Sequence, residues 1–295
     1  KVGTLDALCD SYLCALEQKI EAGNASPLTL TGHKSLLKQA CNLIDPAGDR
    51  MGSLNSDIPE EGFIYILDSF GSRTGAADNC IKALKAAYRW GEKRGHPKLS
   101  AVFGISKVHK SRGGAVQWTD EDFSKFMEAH GQGTMARLWL LLSINTLPRI
   151  GDVSCLGKGN FISREDGIWI EFQPSKKGSA FVAVPALSGF LDELALHGDR
   201  ETFLTNDFGN QFASSKAFAN KIQKWTEQAG LPKGRTQHGV RKGAAALLAL
   251  SGATQYEIMS LMAHTQAKTS EVYTKSVERA ALAATAIRKL SGIEF

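Results

Sequence analysis

A few side chains in this sequence combine reactive chemistry with spacings that packing does not demand. His238 and Arg241 stand three apart in "HGVRKG", so on a helix they share a face. The preceding "GLPKGRTQ" supplies turn residues and puts His238 near a helix N-terminus, where backbone N–H groups favour an anion. His264 closes "TQYEIMSLMAH", and Tyr273 comes nine residues later, after the polar link "TQAKTSEV". Arg149 follows an apolar helix in "TLPRIGDVSCL". A cation there is unusual unless paired, and Asp152, three residues on, is placed to pair with it. Lys176 and Lys177 sit in the polar turn "QPSKKGS". Singly, each has a plain reading: a structural Arg–Asp pair, a capping His, a half-buried core Tyr. Together they offer cations for an anion, imidazoles for protons and a hydroxyl for nucleophilic attack.

The elements that must hold these groups are mostly helical. Leu5, Leu8, Tyr12 and Leu16 fall near helical spacing, and further helices are expected over about 28–43 and 60–70. In "AADNCIKALKAAYRWGEKRG", Ile81, Leu84 and Tyr88 form an apolar stripe beside a basic one of Lys82, Lys85 and Arg89. That basic stripe is either a solvated face or a helix laid against DNA phosphates. "GHPKLSAVFGISKVHKSRGG" reads as an interdomain linker. Thr119 and Asp122 then resemble a capping box at a new helix start. "MARLWLLLSINTL" reads as a buried helix ending at Pro148-Arg149, and "IGDVSCL" resumes helix. The good strand signals are "GIWIEF" (Gly167–Phe172) and "AFVAVP" (180–185), which flank the Lys-bearing turn as a hairpin. After Leu187 the pattern is again mostly helical. The fold class is mainly α with a small β-sheet, divided as 1–96 helical, 97–116 basic linker and 117–295 mixed.

Composition narrows the class. A chain of 295 residues suits two domains of roughly 100–200 residues each. No apolar run reaches about 18 residues, so no membrane span or membrane partner is expected. The N-terminal stretch carries acids inside its apolar run, unlike a signal peptide. The chain begins at Lys1 without Met, which leaves room for a further N-terminal domain. Five cysteines, an odd count without C-x-x-C, argue against a disulfide framework or zinc knuckle and fit a reducing cytosol. Net charge is only +5, but between Glu92 and Asp120 there is no acid and there are six cations: Lys93, Arg94, Lys98, Lys107, Lys110 and Arg112. This stretch is either a solvated linker or a strap across a phosphate backbone.

The ordered set "LPRIGD", "PSKKGSAFVAVP", "HGVRKGAAALLALSGAT", "LMAHTQ" and "SEVYT" resembles the tyrosine recombinase (phage integrase) family over about 117–274. The family pattern is an Arg after an apolar helix, a Lys in a β-hairpin, H-x-x-R, a His and then a Tyr. The order and gaps carry the resemblance. There are departures. Ala263 stands where Gly is usual, Lys242 replaces a common second His, and Pro148 precedes Arg149. The helical first 96 residues look like the family's core-binding domain in character rather than by motif.

The resemblance implies an α+β catalytic domain that cuts and rejoins double-stranded DNA at attachment sites. It implies Tyr273 as nucleophile, forming a 3′-phosphotyrosyl bond. Arg149, Arg241 and His264 would hold the phosphate oxygens, and His238 would act as base or hydrogen-bond partner. A hairpin Lys would protonate the leaving 5′-oxygen; the "K-x-G-x-x-x-x-x-P" spacing favours Lys176, with Lys177 as the alternative. No metal and no cofactor is implied. Lys82, Lys85, Arg89, Lys107, Lys110 and Arg112 are the candidate DNA-binding residues. A homotetramer on DNA, accessory DNA-bending or directionality proteins, and a cytoplasmic, nucleoid-associated setting in a bacterial host complete the expectation. The Ala-rich tail from Ser276 reads as an amphipathic helix that docks on a partner or packs on its own domain. Two other readings stand: a type IB topoisomerase-like nicking–closing enzyme, and a DNA-binding relative without catalysis. The separate helical domain and H-x-x-R favour the recombinase over the first. The intact Arg149, Arg241, His264 and Tyr273 argue against the second.

Overall fold

The computed structural model describes residues 3–110, 113–266, 283–284 and 286–288. The chain divides into two compact units, Lys1–Arg112 and Gly113–Phe295. Among the described residues no helix is long and apolar enough to cross a membrane.

The first unit is built on α1 (Leu5–Glu21), α2 (Pro27–Asn42), α3 (Glu60–Asp68) and α4 (Thr74–Gly91). Thr4 Oγ1 starts α1 by accepting from Ala7 N at 3.2 Å. Ser26 caps α2 with Pro27 in the first turn, where a missing N–H costs nothing. Helix α4 buries Cys80, Ile81, Leu84 and Tyr88 at helical spacing, and these join Leu5, Leu8, Phe63 and Ile66 in one core.

The stretch read from sequence as a linker is partly built into this unit. Ala101–Gly104 forms a 3-10 turn that buries Val102, and Ile105 is buried beside it. Val108 N and His109 N then donate to the Asp78 carboxylate of α4 at 3.0 and 3.1 Å. The Gly, Pro and Lys around this short apolar knot hid it from the pattern.

The second unit runs α5 (Asp120–Ala129), α6 (Met135–Thr146), α7 (Ile150–Val153), β1 (Phe161–Arg164), β2 (Gly167–Phe172), β3 (Val182–Pro185), α8 (Ser188–Ala195), α9 (Ser215–Gln228), α10 (Gln237–Leu250) and α11 (Gln255–Leu261). The Thr119/Asp122 capping box forms, at 3.2 and 2.9 Å. The sheet is antiparallel in order β1-β2-β3. The pairs Ile170↔Val184 and Phe172↔Val182 put their apolar side chains on the buried face. Strand β1 was not expected. It is largely exposed and lacks alternation, though the two-residue polar turn Glu165-Asp166, followed by Gly167 at the start of β2, is the sort of short link that closes a hairpin. At the centre, Trp139 of α6 meets Trp118, Phe126 and Trp225 at centroid distances of 6.0, 5.4 and 5.8 Å.

Two glycines set α10 in place. A Cβ at Gly239 would lie 2.3 Å from Val116 O, and one at Gly243 would lie 2.5 Å from Trp118 O. Only glycine lets the helix lie this close to the chain entering the unit. Trp118 N donates to Gly239 O at 3.2 Å, and Lys242 Nζ to Ala115 O at 3.0 Å. Lys242, one of the departures from the family pattern, thus anchors that entering chain.

Among the described residues, only Leu147 (φ 42°) and Ala263 (φ 50°) adopt left-handed backbone without being glycine. Each ends a helix, and each conformation costs about 1–2 kcal/mol. At Ala263 the motif is a Schellman turn: Ala263 N donates to Ser260 O at 3.2 Å and His264 N to Met259 O at 3.0 Å. A turn of this kind favours glycine, which accounts for the usual family residue at Ala263.

Candidate active site

A cavity of about 430 Å³ gathers Arg149, Lys176, His238, Arg241 and His264, with Ser179 on its wall. Arg149 stands at the N-cap of α7 and Lys176 in the β2–β3 loop. His238 and Arg241 lie in the first turns of α10, and His264 follows the turn that ends α11. The cavity therefore draws on four separate stretches of chain. Lys177 lines it too. Tyr273 lies outside the described residues, as does most of the tail from Ser276 onward.

Arg241 is the buried keystone, only 2% exposed. Its guanidinium donates to Leu147 O at the end of α6 and to Met262 O at the end of α11. The last carbonyls of a helix lack partners within it and carry partial negative charge, so one cation closes two helix ends. Nη2 also lies 3.1 Å from His264 Nε2. An arginine only donates, so this His264 nitrogen accepts. His264 is then neutral, with its proton on Nδ1.

The charges agree with that tautomer. Partial burial, then Arg241, Arg149, Lys176 and His238, push the His264 pKa down to about 4. His238 is lowered as well, first by desolvation and then by Arg241, Lys242 and Arg149. Both imidazoles are thus held uncharged inside a ring of cations. Such a site is poised for an anion, which would offset the repulsion that keeps the histidines neutral.

The Lys-bearing loop is tied down on several sides. Arg149 Nη1 donates to Ser179 Oγ at 3.1 Å. Thr265 Oγ1 donates to Gly178 O at 3.3 Å, and Ala180 N to Ala263 O at 3.4 Å. Asp152 corrects the sequence reading. Its Oδ1 accepts from Ser175 N at 2.8 Å and Ser175 Oγ at 2.7 Å, and no Arg149–Asp152 ion pair forms among the described residues. Asp152 therefore holds the residue next to Lys176 rather than orienting Arg149. The serines of "PSKKGS" were the available signal, since a short hydroxyl side chain commonly bonds nearby polar groups. Among the described residues, no group of three or more His, Cys, Asp or Glu side chains is placed to hold a metal ion.

In the first unit, Lys82 and Arg89 are exposed on α4, with the Arg89 guanidinium 5.5 Å from the Phe103 ring centre. Lys85 is half-buried and donates to Ile105 O at 2.8 Å, so it braces the turn after α4. Lys107 and Lys110 are exposed. Arg112 lies outside the described residues.

A mixed α/β unit with two arginines, two histidines and a hairpin lysine around one cavity defines a class of phosphate-handling enzyme. Residues 119–279 match the phage integrase family, more than half of the chain, and the chain belongs to that family, the tyrosine recombinases. The fold is that of a lambda integrase dimer bound to a COC′ core site, with TM-score 0.73 and 18% identity over 92% of this chain and 78% of that one. It is also that of a lambda integrase tetramer bound to a Holliday junction, with TM-score 0.70 and 19% identity over 87% and 77% of the two chains. The Tn1549 transposon integrase in complex with transposon right end DNA matches with TM-score 0.67 and 14% identity over 98% and 100%. No curated protein matches the sequence.

Proposed function

We propose that this protein is a site-specific DNA recombinase that cleaves and rejoins DNA through a 3′-phosphotyrosyl intermediate, integrating or excising a phage or other mobile element. The observation that carries the reading is the convergence of Arg149, Lys176, His238, Arg241 and His264 on one cavity. Tyr273 attacks the scissile phosphorus; a Tyr–O–P bond forms as the P–O5′ bond breaks. The cut bond's energy is kept in the ester, so rejoining by another strand's 5′-hydroxyl needs no ATP. Arg149 and Arg241 place planar N–H donors against charge that builds on the non-bridging oxygens. Neutral His264, its Nε2 committed to Arg241, offers its Nδ1–H. His238, its pKa held below the ordinary value, accepts the tyrosine proton or bonds the phosphate. Lys176 protonates the leaving 5′-oxygen.

Residues 1–96, with 101–109 of the following stretch packed onto them, act in this reading as a core-type DNA-binding domain, and the rest of 97–116 leads to the catalytic domain at 117–295. Lys82, Arg89, Lys107, Lys110 and Arg112 contact phosphates, while Lys85, the sixth candidate, is taken up by Ile105 O, so binding weakens steeply with salt. The integrases of like fold in complex with DNA, one a tetramer on a Holliday junction, support a double-stranded DNA partner and a homotetramer on DNA. The setting is the cytoplasm of a bacterial host, at the nucleoid. The test is a DNA substrate nicked beside the cleavage site, which traps the covalent intermediate. Wild type gives a protein–DNA adduct and Tyr273→Phe gives none; equal adduct from both would remove Tyr273 from the role of nucleophile.

A further inference from the structure

Gln237 is the first residue of α10 and only 2% exposed, yet none of the steps above uses it. Its Oε1 accepts from Trp139 Nε1 at 2.6 Å and from Ser143 Oγ at 3.1 Å, both on α6. A tryptophan N–H only donates, so the amide orientation is fixed and Nε2 faces the other way. There it donates to Pro148 O at 3.2 Å. Four residues on, Arg241 donates to Leu147 O. Residues four apart share a helix face. One face of α10 therefore grips two consecutive carbonyls immediately before Arg149.

The gripped turn has reason to need holding. Leu147 is in the left-handed region, and Pro148 has no N–H with which to tie itself down. A residue that merely filled this space would be apolar, because a buried amide is costly unless its groups are paired. We propose, resting on the recombinase reading, that Gln237 is a positioning residue: it fixes the Pro148 carbonyl and thereby places the Arg149 guanidinium against the phosphate site on α10. The amide links the chain just ahead of Arg149 to the residue just ahead of His238. It sets the spacing between two groups that must meet one phosphate.

Two variants separate positioning from packing. Gln237→Glu keeps acceptors for Trp139 and Ser143 and removes the donor to Pro148. Gln237→Met removes all three bonds at similar size. Ser143→Ala loses one contact on the α6 side and serves as control. On the full chain, four quantities are measured: DNA affinity, single-turnover cleavage of the nicked substrate at saturating DNA, thermal midpoint, and histidine titration by NMR. Both Gln237 variants are expected to cleave about tenfold to a hundredfold more slowly, the effect of a misplacement near 1 Å, with little change in DNA affinity. In the uncharged variant Gln237→Met, as Arg149 moves off, the His264 titration rises from about 4. Ser143→Ala keeps the wild-type rate. Gln237 variants that lose thermal stability but cleave at the wild-type rate, with His264 titrating as before, would reduce Gln237 to a packing role. If wild type itself forms no adduct, the recombinase reading fails, and the titration alone decides the positioning: a raised His264 midpoint in Gln237→Met upholds it, and an unchanged one overturns it.

Discussion

Leu147 holds a left-handed backbone, and its carbonyl accepts from the guanidinium of Arg241. The same guanidinium donates to Met262 O, next to Ala263, the other non-glycine in that region among the described residues. Two strained helix ends thus share one cation, and that cation also lines the cavity. Arg241 is structural and, in the proposed reaction, catalytic at once.

Replacement of Arg241 by Lys should separate these duties poorly. An ammonium is a point charge and does not reproduce the planar fork that reaches both carbonyls. One buried carbonyl is left unpaired, at about 1–3 kcal/mol. Urea denaturation of Arg241→Lys should show a loss of that size, with cleavage down by about a hundredfold or more. A variant as stable as wild type would mean that the two helix ends do not depend on the guanidinium.

Asp152→Ala should loosen the Lys176 loop. Both bonds to Ser175 vanish, while the Arg149–Ser179 contact stays. Hydrogen exchange at Ser175 N should speed up, and cleavage should fall with little change in DNA binding. Unchanged exchange at that amide would show that the loop is held by its other ties.

The pH dependence of stability follows from His264. Its folded pKa is near 4, below the ordinary 6.5, so protons bind the unfolded chain first as pH falls. The stability at stake is fully present above about 6.5 and is lost as pH drops toward about 4. His238, also lowered, adds to the same trend. The thermal midpoint should fall across this window. His264→Gln, whose amide oxygen can still accept from Arg241, should flatten the fall; an equally steep fall in the variant would place the titration elsewhere.

The choice between Lys176 and Lys177 rests on the leaving group. Sulfur in place of the bridging 5′-oxygen leaves without needing a proton. Lys176→Ala should be slow on ordinary DNA and regain most of its rate on the sulfur substrate, while Lys177→Ala should behave as wild type. The opposite pattern would make Lys177 the acid.

Much of the fold was legible because helices announce themselves. The stripe through Ile81, Leu84 and Tyr88, the Thr119/Asp122 box and the "GIWIEF" strand all appear where periodicity puts them. Strand β1 was not legible, because an exposed strand has no buried face to leave an alternating pattern. The apolar knot at Val102 and Ile105 was too short to break a Gly- and Lys-rich stretch. The groups around the cavity were legible as a set, through their order. Their supports were not: Asp152, Ser175, Ser179 and Gln237 act through contacts between distant segments, and a local pattern does not reveal which hydroxyl or amide meets which carboxylate. Asp152 misled for that reason, since its sequence neighbour Arg149 was the obvious partner.

The ties that close the cavity span long stretches of chain. Leu147 and Arg241 are 94 residues apart, and Gly178 and Thr265 are 87 apart. Contacts of such separation must repay a loop-closure entropy that grows with the logarithm of the loop length. During synthesis, α6 and the Lys176 hairpin emerge well before α10 exists to meet them. A nascent or truncated chain therefore has its cations scattered over unjoined segments, with no assembled centre. Arg149, Lys176, His238, Arg241 and His264 come together only once the chain through His264 has emerged, so a chain stopped before α10 carries an incomplete centre.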